Sequence, residues 1–406
     1  MNILFLTLDK IESLEERGCY TDLLRKFREE GHDIFVMIPS ERRENKKTSL
    51  VKGEKLSILN VRTLNLQKSN IIEKGIGTLA IEYQFLKALR KYFSDEKFDL
   101  VLYCTPPITF YKVIQFVKRR DNAYAYLLLK DIFPQNAIDM KMLKEGGFLH
   151  RMFLRKERML YEVSDTIGCM SEANQEYLIR HNPAIAVNKV EVNPNSIEPI
   201  VFEQTIEEKI KVKQKYGLPL DKKVFAYGGN LGKPQGIDFL LETISTTTNP
   251  QVFFLVVGNG TEYDRIFKWF QNKLPKNAVL LAGLPKKDFD MLLNTCDVGM
   301  IFLHKDFTIP NFPSRLLSYL EMKMPVIAAT DPNTDIGSII ENNKCGYWVI
   351  SGDVLGMQKA INSICSDENN FYQIKENAWN LLQREYKVDY SYQLIKNRLE
   401  DVQINL

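Results

Sequence analysis

The sequence predicts an α/β protein of two doubly wound units facing each other across a cleft. Short apolar runs alternate with amphipathic stretches along nearly the whole chain. The alternation breaks at Asn193 to Lys222 and then restarts. A length of 406 residues also exceeds what one hydrophobic core usually organises. Strands separated by helical segments pair in parallel, and such sheets bind ligands beyond the carboxyl ends of their strands.

In the first unit, Ile3 to Leu8 reads as a strand, followed by an amphipathic helix around Tyr20 to Glu30. The turn Gly31-His32-Asp33 leads into a strand at Ile34 to Ile38. Ser40 to Gly53 is polar and highly charged and reads as a mobile loop. Leu79 to Phe93 has helical periodicity. Leu100 to Tyr103, Ala123 to Leu129, Thr166 to Met170 and Val190 to Val192 supply further strands. In the second unit the strands are Lys223 to Tyr227, Val252 to Val257, Val279 to Leu281, Val298 to Phe302, Val326 to Ala329 and Tyr347 to Ile350. Helices at Asn370 to Glu385 and Tyr390 to Leu406 close the chain. The expected domains are 1–200 and 201–385, with the last helix, about 386–406, packing back on the first.

Composition narrows the function. The 45% hydrophobic and 26% charged content is that of a folded soluble protein. No apolar run approaches the roughly 20 residues of a membrane span, and the start reads as a strand, not a signal peptide. Six scattered cysteines suit reduced thiols in the cytoplasm, and the four histidines form no ligand-spaced group, so no metal site is expected. A net charge of +3 does not suggest nucleic-acid binding. Residues 1–200 hold 31 Lys/Arg against 27 Asp/Glu, with basic stretches at Lys118-Arg119-Arg120 and Arg151 to Arg158. Those stretches are either solvated helix faces or contacts for an anionic membrane surface.

Chemistry points to strand ends. Gly228-Gly229-Asn230-Leu231-Gly232-Lys233 follows a strand and precedes a helix. Glycines there let backbone approach a ligand, the helix start favours phosphate, and Lys233 adds a cation; a plain turn is the alternative. Gly258-Asn259-Gly260, for which a plain helix N-terminal turn is the alternative, and Gly283-Leu284-Pro285 recur at the same strand ends, which favours one binding rim. In Asn311 to Ser318, Pro313 suits a first helical turn. Backbone amides from Ser314 to Leu316, with Arg315, can then meet a diphosphate; an ordinary N-capped helix packed beneath Val326 to Ala329 is the alternative. In the first half, Asp131-Ile132-Phe133-Pro134 follows a strand, and Asp131 is either a base that orients an acceptor hydroxyl or a helix cap. Gly18 either opens the first helix to a phosphate or is a turn. Asp288-Phe289-Asp290 superficially resembles a metal-binding pair but reads as a helix face.

These residues resemble retaining glycosyltransferase family 4 over nearly the whole chain. The resemblance rests on Gly31-His32-Asp33, Asn193-Pro194-Asn195-Ser196, Gly228 to Lys233, Gly258-Asn259-Gly260 and Pro325-Val326-Ile327-Ala328. Asp131-Ile132-Phe133-Pro134 and Gly232-Lys233-Pro234-Gln235-Gly236 are similar to the branch of N-acetylfucosaminyl and related transferases of bacterial capsule and O-antigen assembly. The resemblance implies the GT-B fold, two facing Rossmann-like domains, with the acceptor on the first and a nucleotide-sugar donor on the second. It implies metal-independent transfer with retention, the leaving diphosphate held by Lys233 and by amides near Ser314 to Leu316, and nucleoside contact after Gly283, at Leu284. The chain departs from the pattern in three places. The family's two glutamates eight positions apart are Pro310 and Ser318 here, so Ser318 would have to replace a ribose contact. The usual Asn-Gly is Asn195-Ser196, and the usual basic pair is reduced to Lys233, with Arg315 as the substitute.

The expected activity is transfer of an N-acetylated deoxyhexosamine or hexosamine from a UDP-linked donor to a lipid-linked oligosaccharide. It would take place at the inner face of the cell membrane, without cofactor or metal. Two rivals remain: a GT-B sugar-nucleotide epimerase, and a non-catalytic sugar-nucleotide-binding scaffold. The sequence does not specify the oligomeric state.

Overall fold

Two separate sheets organise the chain, and the computed structural model describes residues 1–65 and 71–404. Unit 1 comprises Met1–Glu198 and Val388–Leu406, and unit 2 comprises Pro199–Lys387. Of the expected final helix, Asn405 and Leu406 lie outside the described residues.

Unit 1 is built on eight strands: β1 (Asn2–Leu6), β2 (Asp33–Glu41), β3 (Ser49–Gly53), β4 (Leu56–Thr63), β5 (Leu100–Cys104), β6 (Tyr124–Leu129), β7 (Thr166–Cys169) and β8 (Val190–Val192). Their order is β3-β4-β2-β1-β5-β6-β7-β8. Every pair is parallel except β3–β4, which is antiparallel. The central strands read as continuous apolar runs because helices bury them on both faces. The expected mobile loop at Ser40 to Gly53 is corrected. β2 runs on through buried Ser40 and Glu41, Arg42–Glu44 forms a 3-10 turn, and Ser49–Gly53 is the edge strand. An edge strand with mostly exposed side chains needs only backbone pairing, so it leaves no apolar alternation to read.

Unit 2 is built on six parallel strands: β9 (Lys223–Asn230), β10 (Val252–Asn259), β11 (Ala278–Ala282), β12 (Val298–Phe302), β13 (Val326–Thr330) and β14 (Gly346–Ile350). Their order is β11-β10-β9-β12-β13-β14. A helix at Ile206–Lys215 lies inside the stretch read as an interruption. Its start is a capping box: the Glu208 amide donates to Thr205 Oγ1 at 3.2 Å, and the Thr205 amide donates to Glu208 Oε2 at 2.8 Å. None of its residues is buried, so it carries no apolar period.

Separate cores fill the two units. Ile3, Phe5, Val36, Leu102, Tyr126 and Leu128 lie in the first, and Phe225, Tyr227, Phe254, Met300, Phe302 and Ile327 in the second. The helix Val388–Ile404 joins the first core. Its Tyr392 ring lies 4.8 Å from Phe27, edge to face, and Arg398 Nε pairs with Glu191 Oε2 at 2.7 Å.

β9 and β10 approach so closely at their carboxyl ends that a side chain does not fit between them. Gly258 pairs with Gly229, and a Cβ on Gly258 would lie 1.8 Å from the Gly229 carbonyl oxygen. Gly258→Ala is therefore expected to cost about 3 kcal/mol in urea unfolding, because the obstacle is backbone and cannot rotate away. Gly53→Ala, whose Cβ would meet only Leu56 O at 3.6 Å, should stay within about 0.5 kcal/mol of the parent. Equal losses in the two variants would contradict this packing.

Candidate functional site

The second sheet reverses its winding at β9. The chain runs from β9 outward to β10 and β11, then crosses to β12, β13 and β14 on the other flank. Such a switch point opens a crevice beyond the strands' carboxyl ends. β10 accompanies β9 to Asn230, whereas β12 pairs with it only as far as Ala226. The helix Arg315–Glu321 serves the freed flank. The Gly228 amide donates to Tyr319 Oη at 3.3 Å, and that hydroxyl donates to Met300 O at 3.0 Å. Burial pushes the Tyr319 phenol up to about 12, so it stays neutral.

Arg315 stands beside the carboxyl end of β9. Its guanidinium carbon lies 4.4 Å from the centroid of the Tyr227 ring, and Nη2 donates to Gln235 Oε1 at 2.5 Å. Tyr227 is fixed in turn by donating to Asn230 O at 2.9 Å. Burial raises its phenol pKa, against the opposing effect of Arg315. Gly229, at φ +116°, passes beside the guanidinium, which would lie 3.8 Å from a Cβ at that position. Arg315 Nη1 is shut off from solvent and has no hydrogen-bond partner. A planar cation held on two sides, with one donor nitrogen unsatisfied, is suited to an anionic oxygen.

The glycine-rich segment differs from its expected form. Gly228, Gly229 and Asn230 are the last residues of β9, Lys233–Gln235 is a 3-10 turn, and the helix Ile237–Thr246 begins only after Gly236. Lys233 is exposed at the head of that turn. Gly258 and Asn259 likewise end β10. A Cβ on Gly260 would lie 2.2 Å from Leu231 O, a backbone obstacle, and one on Gly283 would lie 2.4 Å from Asn259 Nδ2, the end of an exposed side chain. Asn259 Oδ1 accepts from the Gly283 amide at 3.1 Å, which leaves Leu284 half-buried at the following turn.

The segment after β12 also departs from expectation. The helix starts at Arg315, so Pro313 and Ser314 precede it. The Leu316 amide, expected to be open to a diphosphate, donates to Pro313 O at 3.2 Å, and the Leu316 side chain is fully buried. Ser318 is half-buried on the same helix. Asp288-Phe289-Asp290 lies on the helix Lys286–Leu293, where Asp290 pairs with Lys286 at 2.5 Å. Among the described residues no group of three or more His, Cys, Asp or Glu could hold a metal ion.

Two expected residues lie in unit 1. Gly18 caps the helix Cys19–Glu29, and its amide donates to Asp22 Oδ1 at 3.3 Å. Asp131 follows β6, with its amide on Thr105 Oγ1 at 3.2 Å and its Oδ2 accepting from Asn136 Nδ2 at 2.6 Å. Burial pushes its carboxyl up to about 6. Neighbouring Lys130 donates to Asn193 O at 3.3 Å, and burial brings its ammonium down to about 8.

Sequence reasoning missed Tyr227, Gln235 and Asp331. Gln235 stands inside a segment quoted for its glycines and Tyr227 ends the strand expected before one, but nothing in the order of residues shows that they clamp an arginine eighty positions or more away. Asp331, directly after β13, is fully buried, its Oδ2 has no partner, and burial pushes its carboxyl up to about 6. A lone aspartate after a strand carries no such signal.

Comparison with known proteins agrees with this architecture. Residues 208–380 match the family Glycosyl transferases group 1. The chain is 22% identical over 300 residues to WbjE of Pseudomonas aeruginosa, which carries the name of a glycosyltransferase, covering 73% of each chain. It is 21% identical over 275 residues to WcaI of Escherichia coli (strain K12), which carries the name of a colanic acid biosynthesis glycosyl transferase, covering 66% of this chain and 65% of WcaI. Among solved structures, sucrose-phosphate synthase of Thermosynechococcus elongatus superposes with a TM-score of 0.79 at 13% identity, covering 100% of each chain. HepE of Anabaena in complex with UDP-glucose gives 0.71 at 16% identity, covering 99% of this chain and 100% of that one. The fold is GT-B in class, with two Rossmann-like units in one chain, and residues 208–380 of the second are similar to Glycosyl transferases group 1.

Proposed function

We propose that the protein is a retaining glycosyltransferase acting without a metal. It moves an N-acetylated deoxyhexosamine or hexosamine from a UDP-linked donor to a lipid-linked oligosaccharide in capsular or O-antigen synthesis. The work is done at the inner face of the cell membrane. One observation carries the reading: Arg315 Nη1 is buried and unpaired at the switch point of a group 1 domain. Negative charge develops on the leaving diphosphate as the glycosidic bond breaks, and a cation already held in place stabilises it most. Lys233 supplies a second, mobile charge. The UDP-glucose bound by HepE supports a uridine nucleotide, and WcaI's name supports a polysaccharide pathway.

Asp131 is assigned to the acceptor. Its carboxylate takes a hydrogen bond from the attacking hydroxyl and orients it, while Asn136 holds Oδ2 in place. Gly229, Asn230, Gly258, Asn259, Leu284, Ser314 and Ser318 line the donor's path in this reading, Ser318 toward the ribose.

A thermal-shift screen of UDP, GDP, ADP, dTDP and their sugar conjugates should single out the uridine compounds, since a ligand of the folded state raises the midpoint. With the donor identified, Lys233→Ala should lower turnover on the order of 100-fold. No shift with any nucleotide, or unchanged turnover, would remove the donor assignment.

For Asp131 the sign follows from burial. Its folded pKa of about 6 stands above the usual 3.8, so ionisation costs stability that is missing at pH 8 and regained as pH falls below both values. Turnover should rise with pH through about 6. Asp131→Asn should abolish turnover yet raise stability at pH 8 by roughly 1–3 kcal/mol, a gain that vanishes near pH 3. An active Asp131→Asn enzyme would exclude the base.

A further inference from the structure

Two basic stretches stand out in the first unit, and the structure separates them. Lys118 pairs with Asp165 at 2.7 Å and donates to Val163 O at 3.0 Å. Arg120 pairs with Asp121 at 2.6 Å and donates to the carbonyls of Phe93 and Glu96. Those two side chains are tied into the fold. The helix Phe148–Val163 is different. Lys156 is engaged with Glu82 at 2.8 Å, but Arg151, Arg155 and Arg158 are exposed, and among the described residues their side chains make no hydrogen bond or ion pair.

Spacing puts these three arginines on one helix face with Phe148, opposite the buried His150, Phe153, Glu157, Leu160 and Tyr161. Phe148 is 76% exposed, Leu149 beside it 49%, and Met142 in the preceding turn 73%. Exposed Lys141 and Lys144 stand in that turn. Exposed Glu145 and Glu162, and the buried Glu157 that attracts Arg158, are the acidic residues along the same stretch. Through the Lys156–Glu82 pair the helix is joined to Ile71–Tyr92, where Tyr83 is 70% exposed.

We propose that this face docks on an anionic lipid bilayer. Aromatic and aliphatic side chains set among unneutralised cations match an interface of acidic headgroups over hydrocarbon. An acidic protein surface would satisfy the arginines but would leave Phe148 and Met142 without an apolar partner. The inference deepens the reading above and rests on it for the lipid-linked acceptor. No helix among the described residues is long and apolar enough to cross a membrane, so attachment is at the surface. Phe148, Leu149 and Met142 enter the headgroup layer while the arginines neutralise phosphates.

The test is co-sedimentation of the full chain with phosphatidylglycerol vesicles and with phosphatidylcholine vesicles. The expected result is binding to the former alone, lost in molar salt. Arg151→Ala/Arg155→Ala should reduce partitioning on the order of 25-fold. Phe148→Ser/Leu149→Ser should weaken it as well, and Lys46→Ala/Lys47→Ala should not. Equal partitioning of the parent and the double-arginine variant would overturn the proposal. So would absent binding, or a self-association of the parent that Phe148→Ser/Leu149→Ser abolishes. The uridine-nucleotide thermal shift, measured on the same preparations, separates the two readings. A shift without vesicle binding overturns docking alone, and vesicle binding without a shift overturns the donor assignment alone.

Discussion

The second unit is organised around a guanidinium clamped on two sides and left unsatisfied at one nitrogen. A buried donor without a partner costs about 1–3 kcal/mol, and more when it is charged. The stacking on Tyr227 and the hydrogen bond to Gln235 offset part of that cost. Tyr227 and Gln235 hold the Arg315 plane by its face and by Nη2, which leaves Nη1 directed by geometry and not by a bond. Several other features surround this side chain. β9 outruns β12, Tyr319 takes the amide that β12 would otherwise have paired, and Gly229 places no side chain beside the guanidinium. Preorganisation of this kind is what electrostatic catalysis needs, because the charge does not have to move when the leaving group forms.

Around this cation the strand ends form a rigid floor. Gly258 lies against the Gly229 backbone and Gly260 against that of Leu231, each within a distance that excludes a Cβ. The first unit uses burial differently, to shift titration. Asp131 stands near 6, Glu157 near 7 and Lys130 near 8, each moved chiefly by desolvation. Groups displaced toward neutrality in this way tend to gather where proton transfer is needed.

Much of the fold was legible in the sequence because parallel strands buried on both faces announce themselves as apolar runs. The strands from β5 to β14 fall within a few residues of their expected places. Two missed elements carried no period, the edge strand Ser49–Gly53, exposed on most positions, and the helix Ile206–Lys215, which buries nothing, whereas the missed strand Leu56–Thr63 did carry apolar residues at Leu56, Ile58, Leu59 and Val61. The site was legible in part. Lys233, Arg315 and the glycines stand in recognisable segments, but the glycine positions advertised ligand contact where several serve packing. The Leu316 amide was expected to be open and is spent on Pro313. The Tyr227–Arg315–Gln235 clamp depends on a crossover between strands that the order of residues does not display.

The central claim is that Arg315 Nη1 is reserved for a diphosphate. Calorimetric titration of the parent and Arg315→Ala with UDP and with uridine tests it most directly. If the claim holds, the substitution weakens UDP binding roughly 10- to 100-fold and leaves uridine binding unchanged. Equal losses for both ligands, or no loss for UDP, would contradict it.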